Sequence, residues 1–190
     1  MRHQPKFKAA LSTFVFTVLA LVLNFYGPKI PAPYMPSLLY YLWEVPIVAA
    51  FVLCGAKVGI FTALLSVLVP FAFSKENFMP NPLYYLAATF GMLLGIGVVK
   101  FHALKHSPNS KIALAAISTV LGAVFRTIVA VLVFLAFLGF SPSLGFGFPE
   151  TAKTITIINR VVYDSSLALY TIPLGYFFAY CLKLSADALG

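Results

Sequence analysis

The sequence predicts an all-α, polytopic membrane protein whose six transmembrane helices form one compact bundle. Hydrophobic residues make up 61% of its 190 residues and aromatic residues 16%, while charged residues make up only 9%. A soluble domain with this composition would expose far too much apolar surface to water. The apolar residues also lie in long runs, and a helix needs roughly 20 of them to cross the hydrocarbon core of a bilayer.

Six apolar runs approach this length, and we predict that they are the helices. They cover residues 9–26, 38–54, 58–73, 82–99, 112–140 and 154–184. The third run is short for a perpendicular span and the last two are long, which indicates tilt or an interfacial turn in those helices. No repeat divides the chain, so we expect a single transmembrane domain over residues 1–190.

The segments between the runs contain residues that interrupt a helix. Residues 55–57 form a tight turn, residues 74–81 are polar, residues 100–111 are basic, and residues 141–149 are rich in Gly and Pro. Residues 27–37 contain four prolines, which deny helix and stiffen the chain, so this segment is predicted to be a stiff lid. The four are Pro28, Pro31, Pro33 and Pro36.

Lys and Arg residues set the predicted orientation in the cell membrane. With both termini in the cytoplasm, the inner segments collect eight of these cations and the outer segments three, which is the bias that cytoplasmic loops show. The inner ones are Arg2, Lys6, Lys8, Lys57, Lys100, Lys105, Lys111 and Lys183, and the outer ones are Lys29, Lys75 and Lys153. The net charge of +8 is therefore a feature of membrane topology and does not predict nucleic-acid binding.

Several of the predicted helices carry small residues at intervals of four, which form a stripe along one helix face. Examples are Ala87, Gly91 and Gly95 in the fourth run, Ala115, Thr119, Ala123 and Thr127 in the fifth, and Ala9, Thr13 and Thr17 in the first. Small residues let helix backbones approach closely in lipid. Packing within the bundle is the first interpretation of such stripes, and docking on another membrane subunit is the alternative.

Four ionisable residues lie inside the apolar runs: Glu44, Arg126, Arg160 and Asp164. Charges in a membrane are costly and usually line a functional site. Arg160 and Asp164 share a helix face at i, i+4, where the pair could also neutralise itself near the outer interface. Asn159 and Tyr163 extend this polar stripe. A structural pair between Glu44 and Arg126 is one interpretation, and contact of both residues with a solute is the other.

Aromatic residues precede Glu44, among them Tyr40 and Trp43. Their rings could stack on a flat heterocycle or belong to an interfacial aromatic belt. The common enzyme and metal motifs do not occur, so we expect no enzymatic activity, no metal and no cofactor. His102 and His106 lie beside lysines and are read as a basic, solvated helix end. A secondary transporter that uses Glu44 and Asp164, and a membrane scaffold, stay open as alternative classes.

Three passages resemble one family of membrane proteins. Trp43-Glu44-Val45-Pro46, followed by Gly55 and Gly59, is similar to the second and third helices of the substrate-binding S components of energy-coupling-factor (ECF) transporters. The passage looks particularly like that of the riboflavin-specific type. Arg126-Thr127-Ile128-Val129 resembles its polar fifth-helix segment, and Ile158-Asn159-Arg160 resembles its sixth-helix Asn followed by a basic residue.

The resemblance implies a subunit that captures a vitamin, riboflavin being favoured, at its outer face. It also implies a transmembrane coupling subunit and two cytoplasmic ATPases as partners, in agreement with the absence of a phosphate-binding loop from this sequence. The small residues of the first helix, Ala9, Thr13 and Thr17, would dock on the coupling subunit. The implied substrate-binding residues are Tyr40, Trp43, Glu44, Asn77, Phe78, Arg126, Asn159, Arg160, Tyr163 and Asp164. A thiamine-like cation is the alternative solute.

Overall fold

The computed structural model describes residues 4–33, 35–73, 80–106, 111–138 and 150–189. Within these ranges six helices and a two-stranded hairpin follow one another along the chain. They are α1 (Gln4–Tyr26), β1 (Ile30–Ala32), β2 (Met35–Tyr40), α2 (Glu44–Cys54), α3 (Ala56–Phe73), α4 (Pro80–His106), α5 (Lys111–Leu138) and α6 (Glu150–Leu189).

Four of the described helices are long and apolar enough to cross a membrane. Their apolar stretches are Phe7–Tyr26, Leu83–His102, Ile112–Ala136 and Val161–Ser185. The helix count matches the prediction, but the prediction of six spans is not confirmed, because α2 and α3 are shorter. The 11 residues of α2 rise only about 16 Å at 1.5 Å per residue, which is roughly half of the hydrocarbon core.

The predicted start of the second helix was wrong. The apolar run begins at residue 38, yet residues up to Tyr40 belong to β2, and the helix begins only at Glu44. β2 pairs antiparallel with β1, with Ile30 opposite Tyr40, and the register shifts between Pro31 and Ala32. The proline-rich segment therefore forms a hairpin, since a strand at a sheet edge tolerates the missing N–H of proline. An all-α description leaves this hairpin out.

The short helix α2 is the most buried element among the described residues. It packs against α1, α3 and α6, and seven of its 11 residues are buried. Ile47, Val48 and Phe51 join one core cluster with residues of every other helix, including Met92 of α4 and Ile172 of α6. A helix that is apolar on all sides belongs in the interior, and α2 fits this rule.

Lys100 of α4 binds the C-terminal end of α2. Its Nζ atom donates hydrogen bonds to the carbonyl oxygens of Phe51 at 3.3 Å and Val52 at 3.0 Å. The last carbonyls of a helix have no partner within the helix, so this cation satisfies them. Nζ also lies 5.7 Å from the ring centroid of Phe51, within the range of a cation–π contact.

The predicted stripe of small residues on α4 lies against α5. A Cβ atom added at Gly95 would come within 2.6 Å of the Leu121 carbonyl oxygen and 2.7 Å of the Gly122 Cα. One added at Gly91 would come within 2.9 Å of the Phe125 carbonyl oxygen. Glycine is thus needed at both positions because the two backbones touch there.

We predict that Gly95→Ala destabilises the protein, because the added methyl group must push α5 away from α4. Overpacking of this kind costs about 1–3 kcal/mol. Gly97→Ala is the matched control, since its Cβ would meet only the Phe51 ring at an ordinary 3.5 Å. Thermal unfolding in detergent should show a lower midpoint for Gly95→Ala alone. Equal midpoints for the two variants would contradict the close contact.

Candidate functional site

Three charged residues from three different helices meet inside the bundle. Nη1 of Arg126 on α5 lies 2.8 Å from Oε2 of Glu44 on α2, and Nε lies 3.3 Å from Oδ1 of Asp164 on α6. All three side chains are buried, with 0% or 1% of their surface exposed. We call this group the ionic cluster.

The position of each member follows from its helix. Glu44 is the first residue of α2, where the unpaired N–H groups of a helix start favour a negative charge. The turn before it is closed by a hydrogen bond from the Val45 N–H to the Leu42 carbonyl at 3.1 Å. Arg126 lies in the middle of the apolar stretch of α5, where it depends on protein partners for its charge.

Helix α4 contributes hydroxyl groups to both carboxylates. Thr89 donates to Oε1 of Glu44 at 3.1 Å, and the hydroxyl of Tyr84 donates to Oδ2 of Asp164. Each of the four carboxylate oxygens therefore has a donor. On the cation side, Sδ of Met92 lies 3.9 Å from Nη1 of Arg126, while Nη2 has no hydrogen-bond partner among the described residues. The cluster thus connects four helices.

A group of tyrosines lies between the hairpin and α6. The rings of Tyr40 and Tyr163 are stacked, with centroids 5.6 Å apart and planes 5° apart, and Tyr170 meets Tyr40 edge to face at 5.6 Å. We call these three residues the tyrosine cluster. Tyrosine rings offer flat apolar faces and a polar tip, which is the chemistry that a flat, polar ligand needs.

The hydroxyl groups of this cluster hold the end of β2 against α6. Tyr163 donates to the Leu39 carbonyl at 2.6 Å, and Tyr170 donates to the Tyr41 carbonyl at 2.8 Å. The hydroxyls of Tyr40 and Ser166 are 2.8 Å apart. Three side-chain hydrogen bonds therefore attach the hairpin to α6 directly before α2 begins.

Tyr41 continues the polar surface at the hairpin. Burial raises the pKa of its hydroxyl, and the neighbouring Tyr85 adds to that rise. The ammonium group of Lys29 lies 5.9 Å from the Tyr41 ring centroid, at the outer limit of a cation–π contact. Tyr41 accordingly stays a neutral hydrogen-bonding group at neutral pH.

The structure describes the surroundings of most of the predicted binding residues. Glu44 and Asp164 both contact Arg126, and Tyr40 stacks on Tyr163. Trp43 is 7% exposed and belongs to the apolar core that continues from the start of α2. Asn159 lies half-buried on α6, one turn before Tyr163.

Other predicted positions are less fully described. Asn77 and Phe78 lie outside the described residues, and only the backbone of Arg160 is described, on α6. The sequence suggested two ion pairs, Glu44 with Arg126 and Arg160 with Asp164. The pair between Glu44 and Arg126 is present in the structure. Asp164, which shares a helix face with Arg160, has its two oxygens bonded to Arg126 and Tyr84.

The proposed docking residues of α1 differ in their surroundings. Ala9 is exposed, Thr13 is partly buried and donates to the Ala9 carbonyl at 2.9 Å, and Thr17 is buried at 6% exposure. Large apolar side chains on the same helix are exposed, for example Phe7 at 71% and Phe14 at 65%. α1 therefore offers an apolar surface over most of its length, with Thr17 turned inward.

Sequence reasoning missed several residues around the ionic cluster: Tyr84, Thr89, Met92 and Tyr170. A usable signal existed for the first two, since a hydroxyl in an apolar run near an unpaired carboxylate is a candidate donor. Met92 and Tyr170 resemble ordinary packing residues. No group of three or more His, Cys, Asp and Glu that could hold a metal ion occurs within the part of the chain that the structure describes.

No protein-family model matches the sequence, and no curated protein matches it. Two solved structures do resemble the fold. The S component of a bacterial ECF transporter matches with a TM-score of 0.61 and 23% identity, over 94% of this chain and 99% of that chain. An S component for biotin from an ECF-type ABC transporter matches with a TM-score of 0.57 and 17% identity, over 94% of each chain.

The fold is that of an S component. The two structures confirm the expected resemblance to S components in fold, but they do not confirm the riboflavin type. Together with the apolar helices, the shared fold identifies a multi-pass protein of the cell membrane, as predicted. Identities below a quarter establish the architecture alone, so the ligand must be argued from the site.

We predict that Arg126→Met destabilises the folded protein by about 3–5 kcal/mol, because it leaves two buried carboxyl groups without their cation. Unfolding midpoints in detergent measure the effect. In the triple variant Arg126→Met, Glu44→Gln and Asp164→Asn no charge remains, so it should recover much of the loss. A single variant as stable as the unmodified protein would show that the ionic cluster does not hold these helices together.

We predict that Tyr163→Phe lowers stability by about 0.5–1.5 kcal/mol, since it removes the hydrogen bond to the Leu39 carbonyl while keeping the stacked ring. Tyr26→Phe is the matched control, because Tyr26 is 87% exposed on α1. Thermal unfolding of the two variants side by side isolates the buried hydroxyl. Equal midpoints would argue against the attachment of the hairpin to α6.

Proposed function

We propose that this protein is the substrate-binding subunit of an ECF-type vitamin transporter and that its ligand is a flat, polar heterocycle, with riboflavin favoured. One observation carries the proposal. The tyrosine cluster lies between the hairpin and α6, and Tyr163 is followed directly by Asp164 of the ionic cluster. Stacking faces and buried polar groups thus lie together at the hairpin end of an S-component fold.

The charges of the site favour an uncharged ligand. Arg126 already contacts two carboxylates, so it has no positive charge left for an anion. Biotin, the ligand of one structural neighbour, carries a carboxylate and would find no unpaired cation in the ionic cluster. The ring system of riboflavin is uncharged and displays carbonyl oxygens, which suit N–H donors such as the Nη2 group of Arg126.

The proposed ligand enters at the outer face, between the hairpin and α6. Tyr40, Trp43 and Tyr163 provide ring faces, while Asn159 provides an amide near them. The polar groups of Glu44 and Asp164 complete the binding edge. Asn77, Phe78 and Arg160 belong to the same proposed site.

Transport in this proposal requires partners, and the protein itself is not an enzyme. A transmembrane coupling subunit and two cytoplasmic ATPases would supply the energy. The exposed apolar face of α1, with Ala9 and Thr13 at its start, is the proposed docking surface. Small residues there would let a partner helix approach closely.

The test uses Trp43, the one tryptophan of the chain, as a fluorescent reporter. Riboflavin should quench its emission saturably in the detergent-purified protein, whereas biotin should leave it unchanged. Free N-acetyltryptophanamide provides the inner-filter control, because it emits as Trp43 does but has no binding site for the ligand. Absence of quenching together with a colourless protein would exclude riboflavin, and saturable quenching by biotin would contradict the charge argument.

Asn159→Ala should weaken riboflavin binding roughly two- to tenfold, the equivalent of one hydrogen bond of about 0.5–1.5 kcal/mol. Asn24→Ala is the matched control, since Asn24 is also half-buried but lies on α1, outside the proposed site. Quenching titrations give both dissociation constants. An equal affinity of the two variants would remove Asn159 from the site.

A further inference from the structure

The ionic cluster has more acidic than basic groups. It contains two carboxyl groups and one guanidinium, and none of the three is more than 1% exposed. With both acids ionised, the cluster would carry one uncompensated negative charge inside the bundle. A buried charge without a partner is so costly that such groups become neutral instead.

Arg126 divides its hydrogen bonds between the two carboxylates, so neither is fully compensated. A guanidinium has five N–H donors and can bind one carboxylate with two parallel bonds. Here it makes one bond to each carboxylate, through Nη1 and Nε, and Nη2 is buried without a hydrogen-bond partner among the described residues. Neither carboxylate receives the full compensation that a paired arginine can give.

The other described groups that face the cluster do not supply a charge. α4 contributes the hydroxyls of Tyr84 and Thr89 and the thioether of Met92, and α6 contributes the hydroxyl of Tyr163. Tyr85 of α4 is near enough to Tyr163 to interact with it electrostatically. All of these groups are neutral at pH 7.

Arg160 of α6 is the remaining charged residue nearby in sequence, one turn before Asp164. Its side chain lies outside the described residues. Asp164 accepts from Arg126 and from Tyr84 in any case, so both of its oxygens have a donor. Arg160 is therefore the competing source of positive charge.

We propose that the ionic cluster is a proton-binding site in which Glu44 and Asp164 together hold one proton at neutral pH. The proton comes from water and converts one carboxylate to a carboxylic acid, which leaves one carboxylate, one guanidinium and no net charge. Each acid has a hydroxyl at its second oxygen, Thr89 for Glu44 and Tyr84 for Asp164, and a hydroxyl can accept a hydrogen bond as well as donate one. The proton belongs to the pair.

A proton shared by Glu44 and Asp164 can be distinguished by mutation from a proton held by one isolated buried acid. If Asp164 becomes Asn, Glu44 and Arg126 are left as a balanced pair, so Glu44 ionises. If Glu44 becomes Gln, Asp164 ionises for the same reason. Either substitution therefore removes the carboxylic acid. An acid that is neutral because of its own burial would disappear only when that residue itself is replaced.

Infrared spectroscopy of the purified full chain at pH 7 tests the proposal without any ligand, so it does not depend on the proposed function. The unmodified protein should show the C=O stretching band of a carboxylic acid, which shifts in D₂O. Glu44→Gln and Asp164→Asn should each abolish the band. Asp187→Asn is the matched control, because this carboxyl group is exposed near the end of α6, and it should leave the band unchanged.

Three results would overturn the proposal. One is the absence of the acid band from the unmodified protein, which decides the question even if a variant fails to fold. Another is a band that survives one of the two substitutions in a protein that elutes as a folded particle. The third is a band that appears only in Arg160→Gln, which would make Arg160 the missing counter-ion. In the proposal, Arg160→Gln keeps the band.

Discussion

The contact of Arg126 with two carboxylates is the constraint around which the rest of the bundle is arranged. A guanidinium at the middle of an apolar helix cannot stay without acceptors, and its acceptors come from α2 and α6. Thr89 and Tyr84 then tie α4 to the same carboxylates. Four helices thus converge on one cation, and each is held in rotation as well as in distance, because a hydrogen bond requires a specific side of the helix to face inward.

The same contact relates the position of α2 to that of α5. Glu44 is the first residue of α2 and contacts Arg126 in the middle of the apolar stretch of α5, so α2 begins inside the bundle. The hairpin of β1 and β2 precedes α2, and hydrogen bonds from the tyrosine cluster hold its end against α6. At its other end α2 is fixed by Lys100. The ionic and tyrosine clusters are therefore neighbours as a consequence of how α2 is placed.

The same arrangement connects the proposed ligand site to the proposed proton site. A ligand that stacks on Tyr163 would lie beside Asp164, the next residue of α6, and any movement of the hairpin would act on Glu44 through the turn that precedes it. The two proposals concern different chemistry, one the faces and donors of a heterocycle and the other the charge balance of three residues. Both proposals involve Glu44, Arg126 and Asp164. A change of charge in the cluster would therefore affect ligand binding, and ligand binding would affect the charge of the cluster.

By itself the sequence determined the membrane class, the number of helices and the polar residues that cannot face lipid. It also predicted that Gly91 and Gly95 lie at a close helix contact. These properties depend on composition and on local spacing, which a chain carries without reference to its fold. The choice of partners was decided by the tertiary structure, since Arg126 pairs with residues 82 and 38 positions away along the chain. The tertiary structure also determined the hairpin. Residues 38–40 are as apolar as the helical segment that follows them, and they form a strand because β1 pairs with them.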